Sequence, residues 1–172
     1  MDIVKADTIE QYNQFFGFET RHPLVGIVYF DSSVPQPTHR MTLGFYALFL
    51  KKTTGCIINY GKTIYDFDDE TVVSFAPGQT VGIHRLEDGP APEAIGLLFH
   101  PDFLHRTSLG QRMKQYSFFS YASNEALHLS VEERLILQDY MDKIVRELQH
   151  PIDKFSKSLI VSNIEVLLNY CM

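Results

Sequence analysis

The sequence predicts a mainly β domain that ends in a pair of helices and therefore belongs to the α+β class. Two patterns lead to this prediction. Over residues 43–82, short apolar segments alternate with polar and glycine-containing turns at roughly ten-residue spacing, which is typical of an antiparallel sandwich or small barrel. Over residues 129–172, the apolar side chains recur at helical spacing. Since 172 residues suit one domain, we assign residues 1–128 to the barrel and residues 129–172 to a helical hairpin of the same domain.

The barrel part is predicted to contain about eight strands, each of which ends at a turn. Pro77-Gly78 illustrates such an end, because proline cannot donate a hydrogen bond to a strand neighbour. The predicted strands cover residues 22–30, 43–51, 56–60, 63–67, 71–76, 83–86, 94–99 and 116–121. Residues 31–39 are predicted to form an irregular connection, and residues 100–104 and 109–115 to form helical turns.

A short helix is predicted near the amino terminus. Asp7 or Thr8 can cap it, Glu10 or Gln11 follows three residues later, and Gly17 can end it. We expect this helix to close one end of the barrel.

Two longer helices are predicted at the carboxyl terminus. Ser130 and Glu133 form a capping box that begins the first, and His150-Pro151 ends it. Asp153 or Ser156 can cap the second helix. Because the linker between the helices is only a few residues long, we expect them to lie antiparallel to each other.

Each of these helices carries an apolar stripe, and we interpret the stripes as the contact between two copies of the chain in a homodimer. The stripe residues are Leu137, Met141, Ile144, Leu148, Ile160, Ile164, Leu167 and Cys171. Other apolar residues lie off the stripes, so one face of the hairpin can pack on the barrel while another requires a partner. These are Leu135, Ile136, Tyr140, Leu159, Val161 and Val166. Because no glycine, basic residue or proline ends the last helix, we expect that the chain was cut from a longer protein.

Composition argues against several classes of function. The net charge is −6, the isoelectric point is near 5.6 and the fifteen basic residues are scattered, so the chain is not expected to bind DNA by itself. No segment approaches the roughly twenty apolar residues of a membrane helix, and the amino terminus lacks the apolar run of a signal peptide. Cys56 and Cys171 have no metal-binding or redox spacing. We therefore expect a cytoplasmic protein that does not contact membranes.

Several segments of the sequence are similar to a known family. They are residues 44–55 (GFYALFLKKTTG), 75–78 (FAPG), 98–101 (LFHP), 116–121 (YSFFSY) and 127–130 (LHLS). In these segments and in the order of its parts, the chain resembles the N-terminal, cupin-like regulatory half of AraC-type transcription regulators, particularly those of Bacteroides-like bacteria. The resemblance covers most of the chain.

This resemblance implies a jelly-roll barrel (a double-stranded β-helix) that senses a small-molecule effector, followed by a dimerising helix hairpin. It also implies a C-terminal DNA-binding domain with two helix-turn-helix units. No residue after Ser130 offers a recognition helix with basic flanks, so this sequence lacks that domain. DNA would then be bound only through the missing half.

Cupin barrels can also be metalloenzymes, and the metal site of that family resembles His-x-His with a following Glu and a later His. Here His39-Arg40-Met41 has methionine at the second histidine position, no carboxylate follows within ten residues, and His84 comes later than the pattern expects. No nucleophile elbow or phosphate-binding loop occurs either. We therefore predict no metal, no cofactor and no catalytic residue. The alternatives are a small cupin oxygenase or isomerase and a dimerisation scaffold without a ligand.

Candidate ligand-binding residues are those that would orient a small polar molecule inside the barrel. Tyr46, Tyr60 and Tyr65 would supply an apolar wall with hydroxyl groups, although they can equally fill the core. Arg40 suits an anionic or sugar ligand, and His39 and His84 complete the predicted set. The acidic residues at positions 66, 68, 69 and 70 are interpreted as a solvated turn, because they lack calcium-loop spacing.

Overall fold

The computed structural model describes residues 2–34, 39–52, 56–60, 63–66, 71–85, 93–120 and 127–172, with residues 56–60, 63–66 and 83–85 described as backbone. The fold is α+β, with two mostly antiparallel sheets and a C-terminal helix pair. The strands are β1 (Ile3–Ala6), β2 (Val25–Phe30), β3 (Arg40–Leu43), β4 (Tyr46–Lys51), β5 (Cys56–Tyr60), β6 (Thr63–Asp66), β7 (Thr71–Phe75), β8 (Thr80–Arg85), β9 (Ala94–Phe99) and β10 (Leu127–His128). The α-helices are α1 (Ile9–Phe16), α2 (Ser108–Arg112), α3 (Val131–Leu148) and α4 (Lys154–Tyr170).

The strands divide between two sheets. Sheet I has the order β1-β3-β8-β5-β6, and sheet II has the order β10-β7-β4-β9-β2. Neighbouring strands are antiparallel except β1 and β3, which are parallel. In sheet II, β2 pairs with β9 through a register that joins Val25 to Phe99 and Phe30 to Ala94.

Sheet II lies between two apolar clusters, because successive side chains of a strand point to opposite faces. Ala47 and Phe49 of β4 belong to the interior cluster, which also includes side chains of sheet I and α1. Leu48 and Leu50 of the same strand belong to the outer cluster, in which sheet II packs against α3 and α4. The helix hairpin therefore covers the outer face of sheet II.

The caps predicted for the helices are confirmed. Thr8 and Gln11 form the capping box of α1, and Gly17 ends that helix with φ +79°, a conformation that glycine adopts without steric cost. Ser130 and Glu133 form the capping box of α3. Asp153, one of two candidates, caps α4 by accepting from two backbone amides.

The strand predicted at residues 116–121 is wrong. Residues 113–115 and 117–119 form short 3₁₀ helices, and the turns predicted at 100–104 and 109–115 are confirmed. Phe118 and Phe119 are adjacent yet both buried, which a strand with one buried face does not allow. Side chains of sheet II and its following turn hold the segment, since Ser74 Oγ donates to the Phe118 carbonyl (2.8 Å) and Gln79 Nε2 donates to the Phe119 carbonyl (3.1 Å).

Strand boundaries also differ from the prediction. The segment predicted as one strand over residues 43–51 contains a break at Gly44, where the backbone crosses within van der Waals contact of the residues that follow β1. An added Cβ at Gly44 would lie 2.6 Å from the Asp7 carbonyl oxygen, so a larger residue does not fit there. The strand predicted at 83–86 begins earlier, at Thr80, and β1, β3 and β10 were not predicted.

Within the described ranges, no helix has both the length and the apolar character needed to cross a membrane.

Candidate functional site

His39, one of the residues predicted to bind a ligand inside the barrel, lies beside a small interior space. His39 lines an interior space of only about 20 Å³ between the sheets, together with Tyr12, Phe16, Met41, Leu43, Phe49 and Val81. A space of this size holds about one water molecule, for which roughly 10–15 Å³ suffices, and it is far below the several hundred Å³ of a typical ligand pocket. Burial raises the pKa of the Tyr12 hydroxyl, as expected for a phenol enclosed by apolar side chains. Around His39, therefore, aromatic and aliphatic side chains fill the interior.

Tyr46 does not lie near this space. Its ring stacks on Phe99 at 5.1 Å and contacts Phe119 edge-on at 5.1 Å, within the outer cluster on the helix-facing side of sheet II. Burial raises the pKa of the Tyr46 hydroxyl. Because His39 lies at the interior cluster and Tyr46 in the outer one, these two predicted residues do not share a cavity.

The remaining predicted ligand residues lie on sheet I. Arg40 begins β3 and is partly buried. The backbone of Tyr65 pairs with Ile58, and that of His84 pairs with Ile57. The side chains of Tyr60, Tyr65 and His84, and the acidic turn at residues 67–70, lie outside the described part of the structure. Over the residues whose positions are described, no group of three or more His, Cys, Asp or Glu side chains could hold a metal ion.

The stripe residues predicted to form a dimer contact are instead buried within one copy of the chain. Their exposed fractions run from 0% for six of them to 9% for Leu148, and they pack against the outer face of sheet II. These residues are Leu137, Met141, Ile144, Leu148, Ile160, Ile164, Leu167 and Cys171. Burial raises the pKa of the Cys171 thiol to about 12, so it remains protonated at neutral pH. A side chain enclosed by its own chain cannot contact a second copy, so this interface prediction is corrected.

A different face of the hairpin exposes apolar side chains. On α4, Phe155 is 69% exposed, Leu159 52% and Tyr170 43%, and their spacing places them on one side of the helix. We call these three residues of α4 the hairpin outer face. On α3, Val131 and Leu135 are 67% and 62% exposed, but they lie on the other side of that helix from Tyr140, whose ring meets Tyr170 of α4 at 6.3 Å. Of the residues noted in the sequence as lying off the stripes, Leu159 belongs to the hairpin outer face and Leu135 is exposed elsewhere on α3.

A second candidate site is a cleft of about 250 Å³ beside β2. One wall is the last turn of α1 with the segment that follows it, the floor is β2, and the other wall is α3. Lining residues are Asn13, Phe18, Glu19, Arg21, His22, Val25, Gly26, Ile27, Val28, Tyr29, Val145 and Leu148. We call it the β2 cleft.

Asn13 supplies an unpartnered polar group to the β2 cleft. The residue is only 2% exposed, and its Nδ2 donates to Thr20 Oγ1 at 3.0 Å. Its Oδ1 has no hydrogen-bond partner among the residues that the structure places. A buried polar atom without a partner costs about 1–3 kcal/mol. A ligand that donates a hydrogen bond would remove this cost.

The two ends of the β2 cleft differ in charge. At the Val25 end, His22 packs edge-on against Phe103 (5.5 Å), and Lys157 Nζ lies 5.6 Å from the same ring. Burial, with a smaller contribution from Lys157, lowers the pKa of His22. Arg21 lies at this end and pairs with Glu19 at 3.7 Å, both side chains being largely exposed.

At the other end, burial and then the Asp142 carboxylate raise the pKa of Tyr29. The cleft therefore runs from a basic end to an acidic end.

Two features of the sequence are consistent with the β2 cleft, which was not among the predicted sites. Asn13 is a polar residue among the apolar positions of α1, and Val25–Phe30 has neither a charged residue nor a proline. Neither signal shows that α3 lies alongside β2, because that neighbour is about 120 positions further along the chain.

Comparison with known proteins found no family model that matches the chain, and no curated protein matched it either.

Proposed function

We propose that this chain is the effector-sensing and dimerisation domain of an AraC-type transcription regulator. Its two sheets would form a cupin-like jelly roll, and the hairpin would join two copies. The domain would act on transcription through a DNA-binding half outside this sequence, and it would not itself be an enzyme. An effector that binds two arrangements of the dimer with different affinity would provide the switch.

The observation that carries this proposal is the hairpin outer face. Packing on sheet II leaves no stripe residue more than 9% exposed, yet Phe155 and Leu159 remain more than half exposed. Phe155 sits beside Lys154, whose Nζ lies 5.1 Å from the centre of the ring, so a basic group borders this exposed aromatic side chain. Two copies related by a two-fold axis would bury this face against itself. We therefore expect a symmetric dimer through α4.

Light scattering and sedimentation of the 172-residue chain test the dimer directly. The native chain is expected to be dimeric at high micromolar concentration. Phe155→Glu and Leu159→Glu should each weaken the dimer by about 2 kcal/mol or more, roughly 30-fold in dissociation constant, because each buries a charge at the centre of the contact.

The matched control is Ile3→Glu, an apolar-to-acidic change at a residue that is 57% exposed on β1. It should leave the dimer intact. A native chain that stays monomeric at high micromolar concentration, or a dimer that all three variants weaken equally, would contradict the proposal.

The filled interior around His39 favours a second candidate, a dimerisation scaffold whose barrel holds no ligand. Metal analysis of protein purified without chelator addresses the enzyme alternative. Stoichiometric iron, zinc or manganese that is lost in His39→Ala would show a cupin metal centre and refute the non-enzymatic proposal.

A further inference from the structure

The β2 cleft follows the free edge of a strand. Within the described chain, β2 is the last strand of sheet II, so one side of its backbone has no strand neighbour. The sequence of β2, VGIVYF, lacks the charged residues and prolines that usually protect a free edge from pairing. A backbone edge of this kind can accept an additional extended chain.

The register shows which backbone groups face the β2 cleft. The His100 amide donates to the Leu24 carbonyl at 2.8 Å, so Leu24 and His100 form a hydrogen-bonded pair. Such pairs alternate along antiparallel strands, which places the Gly26 and Val28 backbone groups toward β9. The N–H and C=O groups of Val25, Ile27 and Tyr29 consequently point away from β9. Val25 is fully buried, so the outward groups that a ligand can reach are those of Ile27 and Tyr29.

The cleft therefore offers alternating donors and acceptors of the spacing found in a β-strand. From Ile27 to Tyr29 the accessible edge extends about 7 Å, at roughly 3.3 Å per residue, which is the length of a three-residue strand. Asn13, in the last turn of α1, lines the cleft and carries an Oδ1 acceptor without a partner among the described residues. Val145 and Leu148 make the opposite wall apolar.

Volume and shape restrict the occupant. A cleft of about 250 Å³ is just below the usual lower limit of ligand pockets, near 300 Å³, so it suits a short ligand. The edge lies between the segment after α1 and helix α3, and the β2 edge of a second copy would be recessed in the same way. Two such edges cannot meet, whereas a free extended peptide can enter.

The charges at the two ends of the cleft indicate which terminus of the peptide would bind at each end, and therefore its direction relative to β2. Arg21 and Lys157 lie near the Val25 end, where they would attract a carboxylate, although Glu19 partly neutralises Arg21. Asp142 lies near Tyr29 at the other end, where it would attract an ammonium group. A peptide with its amino terminus at the Tyr29 end runs antiparallel to β2.

We propose that the β2 cleft binds a short zwitterionic peptide of about three residues, paired antiparallel to the free edge of β2. This inference rests on the proposed function in one respect, because the peptide would be the effector. Binding would place an extra strand between α3 and the segment after α1. It would thus reach the hairpin that we propose as the dimer contact.

Trialanine is a suitable probe, and nuclear magnetic resonance of the ¹⁵N-labelled 172-residue chain reports where it binds. Millimolar trialanine should shift the backbone amides of Ile27 and Tyr29 and the side-chain amide of Asn13. Acetylated and amidated trialanine keeps the backbone but lacks both charges, and it should bind at least about tenfold more weakly.

Two variants test the site itself. Val145→Arg places a long charged side chain on the α3 wall and should abolish the trialanine shifts, while Ile3→Arg, the same charge change on exposed β1, should not. Ile27→Pro removes one outward N–H without removing a hydrogen bond to β9, and it should weaken binding. Circular dichroism confirms that each variant is folded.

Absence of shifts at millimolar trialanine would overturn the inference. So would shifts confined to another surface, or equal binding by the Val145→Arg variant. These results are separable from the dimer test. If the native chain dimerises through the hairpin outer face but does not bind trialanine, only the peptide site is wrong; if it binds trialanine as a monomer, only the proposed dimer is wrong.

Discussion

Leu135 and Leu137 provide a matched test of which face of the hairpin is core. They are two residues apart on α3, yet Leu135 is 62% exposed and Leu137 is 0% exposed. Truncating a fully buried leucine to alanine costs about 2–5 kcal/mol, because apolar contacts are lost and a cavity remains. We expect about 3 kcal/mol or more for Leu137→Ala. For Leu135→Ala, which loses less than half of a buried side chain, we expect under about 1 kcal/mol.

Urea unfolding followed by circular dichroism measures both free energies of unfolding. For a domain of this size, 3 kcal/mol corresponds to a fall in Tm of roughly 6–12 °C. The measurement is made at a protein concentration low enough for the monomer to predominate, since dimerisation adds stability that depends on concentration. Equal costs for the two variants at that concentration would refute the assignment of the stripe to the core.

Three further predictions concern a glycine, a helix cap and a histidine. Gly96→Ala should destabilise by about 1–3 kcal/mol in urea unfolding, because the added Cβ would lie 2.5 Å from the Phe49 ring, and a cost below about 0.5 kcal/mol would contradict that packing. Ser130→Ala should cost about 1 kcal/mol and Ser130→Thr much less, since only alanine loses the hydroxyl that caps α3; equal costs would show that the cap contributes nothing. Burial lowers the pKa of His22 in the folded protein, whereas in the unfolded chain the imidazole has its ordinary pKa near 6.5. Below about pH 6.5, therefore, the unfolded chain binds more protons than the folded protein. Unfolding free energy should therefore fall as pH drops below about 6.5, and a pH series should show a smaller fall for His22→Gln than for the native chain.

Local signals in the sequence predicted local structure well. The caps at Thr8, Ser130 and Asp153 were identified because a capping hydrogen bond joins residues only two or three positions apart. The strand predicted at residues 116–121 failed for the opposite reason. Local backbone hydrogen bonds close its 3₁₀ turns, but the side chains of Ser74 and Gln79, about forty positions away, hold it against sheet II, and a local pattern does not identify such partners.

Predictions of functional residues failed where the role of a side chain depends on which other elements of the fold pack against it. Helical periodicity correctly separated an apolar stripe from the rest of α3 and α4, but it does not tell whether a stripe faces a sheet or a second copy of the chain. Tyr46 presented the same difficulty, since alternation along β4 places it on one face without telling which face is interior.

By itself, the sequence determined the α+β class, the order of most strands and the helix caps, because these follow from composition, periodicity and contacts between close positions. Tertiary structure alone decided that the hairpin stripe is core, that side chains fill the interior around His39, and that α3 lies beside the free edge of β2. Each of these depends on which surfaces pack together across more than twenty positions of the chain. Such packing is selected by the shape and burial of the whole domain rather than by any one segment.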